Sequence, residues 1–347
     1  MESLIRAWDG ESIIIRFDRI TEAFIIIAVH STRLGPAIGG TRMKQYPDLD
    51  SAVMDAQRLA GGMTYKWAAS GLDAGGGKAV ISLPSELDPK MRDDLLRRYG
   101  AAVKQLNGLF LTGPDLGTTS EDMNVISESG APYIFCKSPD HGGTGNPGPL
   151  TALGVYTSIH AVAKKAFGEA TPAGKRILVQ GLGSVGQELV RCLHKAGAEI
   201  LISDVNETII QQFKEEFGFE IVHPDAVYDE PCDIFAPCAL GGILNQQTIP
   251  RLRCRAVSGA ANNQLEVPED AVRLKERKIL YAPDFIANSG GIIGVISMET
   301  KGLTRKAAEE KIVQSITDNL SRIFKMSSDE DITTDDAAKR LADERLS

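Results

Sequence analysis

Two lysines, Lys66 and Lys78, stand twelve positions apart in GGMTYKWAASGLDAGGGKA, and the run Gly75, Gly76, Gly77 immediately precedes the second. Glycine gives up more backbone entropy on folding than other residues, so such a run marks a sharp turn or a close approach. A desolvated lysine beside another cation can release its proton near neutral pH and serve as a base. A second lysine can fix a carboxylate. Asp115, in TGPDLGTT, adds a group able to exchange protons or to hold an ammonium. A single lysine in a loop reads as a solvated surface charge; two beside a triple glycine point away from that. The choice depends on what else the chain binds.

The second chemical signal is KRILVQGLGSVGQELVRCL. An apolar run, RILVQ, leads into Gly181-Leu182-Gly183-Ser184-Val185-Gly186, and a helical pattern starts at once. In that context the glycines serve a tight turn, close approach to a pyrophosphate and close helix–strand packing. The helix N-terminus offers free N–H groups to phosphates. A second apolar run ends in Asp204, 23 residues past Gly181, near the spacing of a ribose-binding acid. Its carboxylate would repel a 2′-phosphate, and Val205 and Asn206 follow it rather than an arginine, so NAD is expected over NADP. A hydride-transfer site for a small charged molecule needs a cation for the substrate carboxylate and a group that moves protons. Lys66, Lys78 and Asp115 supply both if they converge, with the glycines letting the backbone pass close to substrate.

The elements around these residues indicate an α/β protein. SIIIRFD and AFIIIAVH read as strands, LGPAIGGTR as a glycine–proline loop, and residues 49–64 as a helix capped by Asp50 or Ser51. After the lysine–glycine segment come a strand KAVISLP, a helix over about 89–107 and a short strand LFLT. SPDHGGTGNPGP, at 138–149, marks a loop or hinge. Beyond it, RILVQG, EILISDV, EIVH, CDIFAPC, AVSGAA and ILYAPD are apolar without strict alternation, as expected of parallel strands buried on both faces. Residues 303–324 follow a helical period, and TTDDAAKRLADERL reads as a last helix.

The whole chain narrows the classes. At 347 residues, two domains are expected, and a net charge of −8 argues against a general nucleic-acid surface. No apolar run approaches a membrane span, and the start, MESLIRAWDGES, lacks a signal-peptide core. The five cysteines are scattered, which suits reduced, buried residues in a cytoplasmic protein, and no metal site is expected.

GPAIGGTRM, GGMTYKWAASGLDAGGGKAVI, LTGPDLGTT, GNPGPLTALGV, VQGLGSVG, SGAANNQL and APDFIANSGGIIGV together resemble, in this order, the glutamate/leucine/phenylalanine/valine dehydrogenases, and most of all the leucine-acting group. The resemblance implies NAD-dependent reversible oxidative deamination of an amino acid. It implies that Lys66 binds the substrate α-carboxylate, that Lys78 activates water against the imino acid, and that Asp115 shuttles protons at the amino group. Asn262 and Asn288 would lie near the nicotinamide, its amide or the substrate amine, and Gly39 and Gly40 would line the substrate. The implied organisation is a substrate and oligomerisation domain over 1–140, a Rossmann-type NAD domain over 141–324, helices at about 325–347 packing back on the first domain, and a homo-oligomer. A non-catalytic NAD-responsive protein would be expected to lack Lys78 or Asp115, and both are present.

Glutamate-acting members carry a lysine where this chain has Ile38. Met63, Ile292 and Val295 match other pocket positions and are apolar, so a substrate carboxylate buried there would go unpaired at a cost of several kcal/mol. Gly113 departs from the alanine usual in leucine-acting members and is closer to aromatic-acting ones. Leucine and other branched-chain amino acids are expected, with phenylalanine or tryptophan as the alternative.

Overall fold

The computed structural model describes residues 2–347, which form two compact units. The first runs from the N-terminus to Asn146 and includes Met298–Gly302 and Ala342–Ser347; the second comprises Pro147–Ser297 and Leu303–Leu341.

The first unit contains α1 (Glu2–Ala7), β1 (Ser12–Asp18), β2 (Ala23–Ser31), β3 (Ala37–Gln45), α2 (Leu49–Ala69), β4 (Gly75–Leu83), α3 (Pro89–Gln105), β5 (Phe110–Pro114) and α4 (Ser120–Gly130). Its sheet has the order β1-β2-β4-β3-β5, with β3 parallel to both β4 and β5 and the remaining pairs antiparallel. The period of two along β2 and β4 sorts the core. Ile26, Ala28 and Val80 pack with Ala52, Val53, Ala56 and Ala60 of α2. Ile25, Ile27, Val29, Ala79 and Ile81 pack with Leu95, Leu96 and Tyr99 of α3 and Met123 and Ile126 of α4. Helices therefore cover both faces.

Two local expectations fail here, and the glycine run settles for one of its two alternatives. LGPAIGGTR is not a loop: from Ala37 on it is the strand β3, bonded to a neighbour on each side. Pairing on both edges overrides the weak strand propensity of Gly39 and Gly40. The cap of α2 is neither Asp50 nor Ser51 but Asp48, whose carboxylate accepts the Ser51 N–H at 2.7 Å, and the helix continues past residue 64 to Ala69. The glycine run makes no turn; it begins the central strand β4. A Cβ at Gly75 would fall 2.0 Å from the Ser31 carbonyl oxygen, one at Gly76 2.0 Å from Thr64 Oγ1, and one at Gly77 2.8 Å from the Phe110 ring. Close packing of two strands and a helix accounts for the run.

The second unit contains α5 (Gly148–Phe167), β6 (Arg176–Gln180), α6 (Ser184–Lys195), β7 (Glu199–Ser203), α7 (Glu207–Phe217), β8 (Glu220–Ile221), β9 (Ile234–Pro237), β10 (Ala256–Val257), α8 (Glu269–Glu276), β11 (Leu280–Tyr281), α9 (Asp284–Ala287) and α10 (Gly290–Glu299), followed by α11 (Arg305–Glu330) and α12 (Thr334–Leu346). Met298 and Glu299 at the end of α10, and α12 from Ala342 on, are counted with the first unit. The sheet is wholly parallel in the order β11-β10-β9-β6-β7-β8. Counted from β6, this is the doubly wound order 3-2-1-4-5-6 of dinucleotide-binding folds, read from its far edge. Ile177, Leu178, Val179, Leu201, Ile202 and Phe235 are buried, which explains the apolar runs without alternation.

All five cysteines are free, but only Cys136 is buried. Cys192, Cys232, Cys238 and Cys254 are partly exposed, against expectation, because they lie on the outer helix α6 or just outside the ends of β9 and β10. Among the described residues, no helix is long and apolar enough to cross a membrane.

Candidate active site

Lys78 projects from β4 on the sheet face that α2 covers. Its Nζ lies 2.9 Å from Asp115 Oδ2, and its side chain is only 6% exposed. Asp115 is placed by a turn at the end of β5. Its N–H donates to Thr118 Oγ1 at 2.9 Å, and the Thr118 hydroxyl donates to the Thr41 carbonyl at 2.7 Å, which braces the turn against β3. Gly117 closes that turn at φ +82°, where a Cβ would strike the Met43 carbonyl oxygen at 1.8 Å. The Lys78 ammonium and Asp115 carboxylate thus meet because β3, β4 and β5 are registered neighbours, not because they are near in sequence.

A third charge joins them. Arg42, on β3, donates from Nε to the same Asp115 Oδ2 at 3.0 Å and from Nη1 to Asp55 Oδ2 at 2.9 Å. Asp55, on α2, also accepts the Tyr46 hydroxyl at 2.7 Å. Burial raises the Asp115 pKa, but the charges of Lys78 and Arg42 outweigh it and bring it down to about 2. Sequence reasoning missed Arg42, Asp55 and Tyr46. A strand assignment for IGGTR would have shown Arg42, two residues past Gly40, on the same face as Gly40.

Lys66 lies in the last turn of α2 and is partly exposed. The next residue, Trp67, donates its indole N–H to the Ile38 carbonyl at 2.8 Å, tying that turn to β3. Arg345 donates to the carbonyls of Ala68 and Leu72 at 3.2 and 3.1 Å, satisfying acceptors around the helix end. Gly39 is buried, and a Cβ there would fall 1.7 Å from the Gly77 carbonyl oxygen. Gly40 sits beside the Lys78–Asp115 pair, where a Cβ would come 2.8 Å from Asp115 Cβ and 3.4 Å from Lys78 Nζ. Gly113 is registered opposite Gly40, and a methyl there would make ordinary contacts, at 3.7 Å to Cys136 Sγ and 3.8 Å to Phe135 Cβ. Cys136 is held at φ +58°. Its N–H, with the N–H and hydroxyl of Thr144, donates to Glu299 Oε1 at 3.1, 2.8 and 2.6 Å. Ile38 and Met63 are both partly buried.

The second unit carries the remaining candidates. Gly181 has φ +99°, and a Cβ at Gly186 would strike the Gly181 carbonyl oxygen at 1.9 Å, so both glycines are required by backbone conformation and packing. At Gly183 a Cβ would meet nothing within 4 Å, and Gly183 is the N-cap of α6, with no side-chain cap on the free N–H groups of Ser184, Val185 and their neighbours. An open approach to uncapped helix donors fits a pyrophosphate. Asp204 stands just past β7; Oδ2 accepts the Leu182 N–H at 2.6 Å and Oδ1 the Asn206 N–H at 2.8 Å. These bonds fix the carboxylate beside the glycine loop and leave lone pairs for ribose hydroxyls. The cap of α7 is Asn206, not Asp204. Asn288 Nδ2 donates to Asn262 Oδ1 at 2.8 Å and to the Ala260 carbonyl at 3.0 Å. Asn288 is buried, and its Oδ1 has no partner among the described residues, which makes it an unsatisfied acceptor next to Asn262. Ile292 is partly exposed and Val295 buried on α10.

Comparison with known proteins is consistent across the chain. A family model described as "Glu/Leu/Phe/Val dehydrogenase, dimerisation domain" matches residues 18–130, and one described as "Glutamate/Leucine/Phenylalanine/Valine dehydrogenase" matches 142–213 and 202–346. A leucine dehydrogenase of Geobacillus stearothermophilus is 43% identical over 342 residues, covering 99% of this chain and 92% of that enzyme. An L-tryptophan dehydrogenase of Nostoc punctiforme is 42% identical over 344 residues, covering 99% of this chain and 95% of that enzyme. The crystal structure of L-tryptophan dehydrogenase from Nostoc punctiforme matches with a TM-score of 0.81 at 40% identity, over 100% of this chain and 98% of that one.

Proposed function

The chain belongs to the glutamate/leucine/phenylalanine/valine dehydrogenase family and is an amino-acid dehydrogenase; from that premise we propose that it deaminates leucine and other branched-chain L-amino acids reversibly, using NAD. The observation that carries the chemistry is the buried Lys78–Asp115 pair at 2.9 Å. In this reading Lys66 binds the substrate α-carboxylate, and Lys78 takes a proton from the water that adds to the imino acid. Asp115 exchanges protons with the departing amino group. Bound NAD supplies the hydride acceptor for the substrate Cα. Residues 181–186 would hold its pyrophosphate, Asp204 its adenosine ribose, and Asn262 and Asn288 its nicotinamide end or the substrate amine. Family members use NAD or NADP; Asp204 supports NAD here. The chain is also proposed to assemble with copies of itself, since its first unit matches a dimerisation domain.

Asp204→Asn should narrow the preference for NAD over NADP by about tenfold, because it removes the charge that repels a 2′-phosphate while keeping one carbonyl acceptor. Comparing kcat/KM for the two cofactors checks this; an unchanged ratio would remove Asp204 from cofactor selection.

Ile38, Met63, Ile292 and Val295 support an apolar substrate side chain. The space next to Gly113 supports a second reading, a preference for phenylalanine or tryptophan. NADH formation with each L-amino acid in alkaline buffer decides between them: leucine, valine and isoleucine leading supports the first, aromatic substrates the second. Gly113→Ala should fold normally and raise kcat/KM for leucine relative to phenylalanine by roughly tenfold, the usual worth of one methylene. An unchanged ratio would place the side-chain pocket elsewhere.

A further inference from the structure

We propose that Arg42 is a positioning residue for this reaction, fixing Oδ2 of Asp115 alongside Lys78 and holding Asp115 ionised through the step in which Lys78 is neutral. The inference rests on the roles proposed above for Lys78 and Asp115.

The geometry is specific. Arg42 Nε and Lys78 Nζ both meet Oδ2, at 3.0 and 2.9 Å. One carboxylate oxygen is thereby anchored by two cations. Lys78 must alternate between ammonium and amine. When it is an amine, Asp115, whose side chain is only 19% exposed, loses one of its two counter-charges. A buried carboxylate without a counter-charge takes up a proton and stops accepting one from substrate. Arginine does not deprotonate in proteins, so Arg42 supplies a constant charge where Lys78 supplies a varying one.

Arg42 is itself fixed by its fork. Nη1 reaches Asp55, and Asp55 accepts the Tyr46 hydroxyl and, on its other oxygen, Arg58 Nη2 at 3.1 Å. The charged and titratable groups joined to the pair are Arg42 from β3, Asp55 and, through it, Arg58 from α2, and Tyr46, with the Lys44 ammonium 4.4 Å from the centre of the Tyr46 ring. In the resting state the four charges Arg42, Asp55, Lys78 and Asp115 balance.

This arrangement predicts opposite shifts from two substitutions. Arg42→Met removes a positive charge, so the pair holds its proton more tightly. The acid limb of the pH profile of deamination should move to higher pH by about one unit, and kcat should fall about a hundredfold with a smaller change in KM. Asp55→Asn removes a negative charge from the far side of Arg42, so the same limb should move to lower pH. Arg42→Lys keeps the charge but not the fork, and should return the limb towards its original position. A brace without an electrostatic role would lower activity in both variants without moving the limb in opposite directions. That result, or an Arg42→Met enzyme with kcat within threefold and an unmoved limb, overturns the inference. If Arg42→Met does not fold, the direction of the Asp55→Asn shift decides. Lys78→Met, assayed in parallel, separates the failures: its loss of turnover beside a normal Arg42→Met enzyme sinks this inference alone, whereas an active Lys78→Met enzyme sinks the assignment of the site.

Discussion

Lys78→Met is expected to lower turnover of amino-acid oxidation by about a thousandfold, within the range that positioned acid–base groups contribute, while NAD binding should stay within about threefold of the parent, a change of under about 1 kcal/mol. Methionine keeps much of the stem of the side chain and removes the ammonium. The substitution does not orphan Asp115, because Arg42 still bonds Oδ2 at 3.0 Å. The folded state should therefore survive, and the defect should be chemical. Steady-state rates at saturating substrate measure the first effect and a cofactor titration the second. The residues proposed for the cofactor lie in the second unit and Lys78 in the first. Turnover within tenfold of the parent would remove Lys78 from the reaction and take the deamination reading with it.

Gly76→Ala is expected to destabilise the protein by about 3 kcal/mol or more, the upper range for forcing volume into a packed interior. The added Cβ would lie 2.0 Å from Thr64 Oγ1, 2.3 Å from the Thr64 backbone nitrogen and 2.6 Å from the Ala60 carbonyl oxygen. A hydroxyl can rotate away, but the other two atoms belong to the backbone of α2, so the helix has to lift from β4. Thermal melts should fall by roughly 10 °C. Because Lys66 is two residues beyond Thr64 on the same helix, the displacement should also raise KM for the amino acid, if Lys66 holds its carboxylate. Gly113→Ala is the matched control: it adds the same methyl to the same sheet where the nearest atom is 3.7 Å away. Equal melting temperatures for the two variants would show that the helix–strand contact at Gly76 is not a constraint.

GGGK is conspicuous in sequence, twelve residues separating its Lys78 from Lys66. The reason for the glycines was not legible, because the atoms they avoid belong to Ser31, Thr64 and Phe110, well away along the chain. IGGTR misled for the same reason: its glycines suggest a loop, and only hydrogen bonding to β4 and β5 on either side makes it a strand. Arg42 was then overlooked, since its partner Asp115 is 73 residues away.

The Rossmann-like architecture of the second unit was legible along the chain. An apolar strand, GLGSVG, a helix and an acid 23 residues on are contiguous requirements, met within one short supersecondary unit, so local pattern carries them. The apolar runs likewise announced a parallel sheet, because strands buried on both faces leave no polar alternation. The charge cluster was not legible in that way: which oxygen of Asp115 is shared, that Arg42 joins Lys78 there, and that Asn288 donates to Asn262 appear only in the folded chain. Those contacts depend on the register of strands and loops distant in sequence, and register is a property of pairing that no single segment contains.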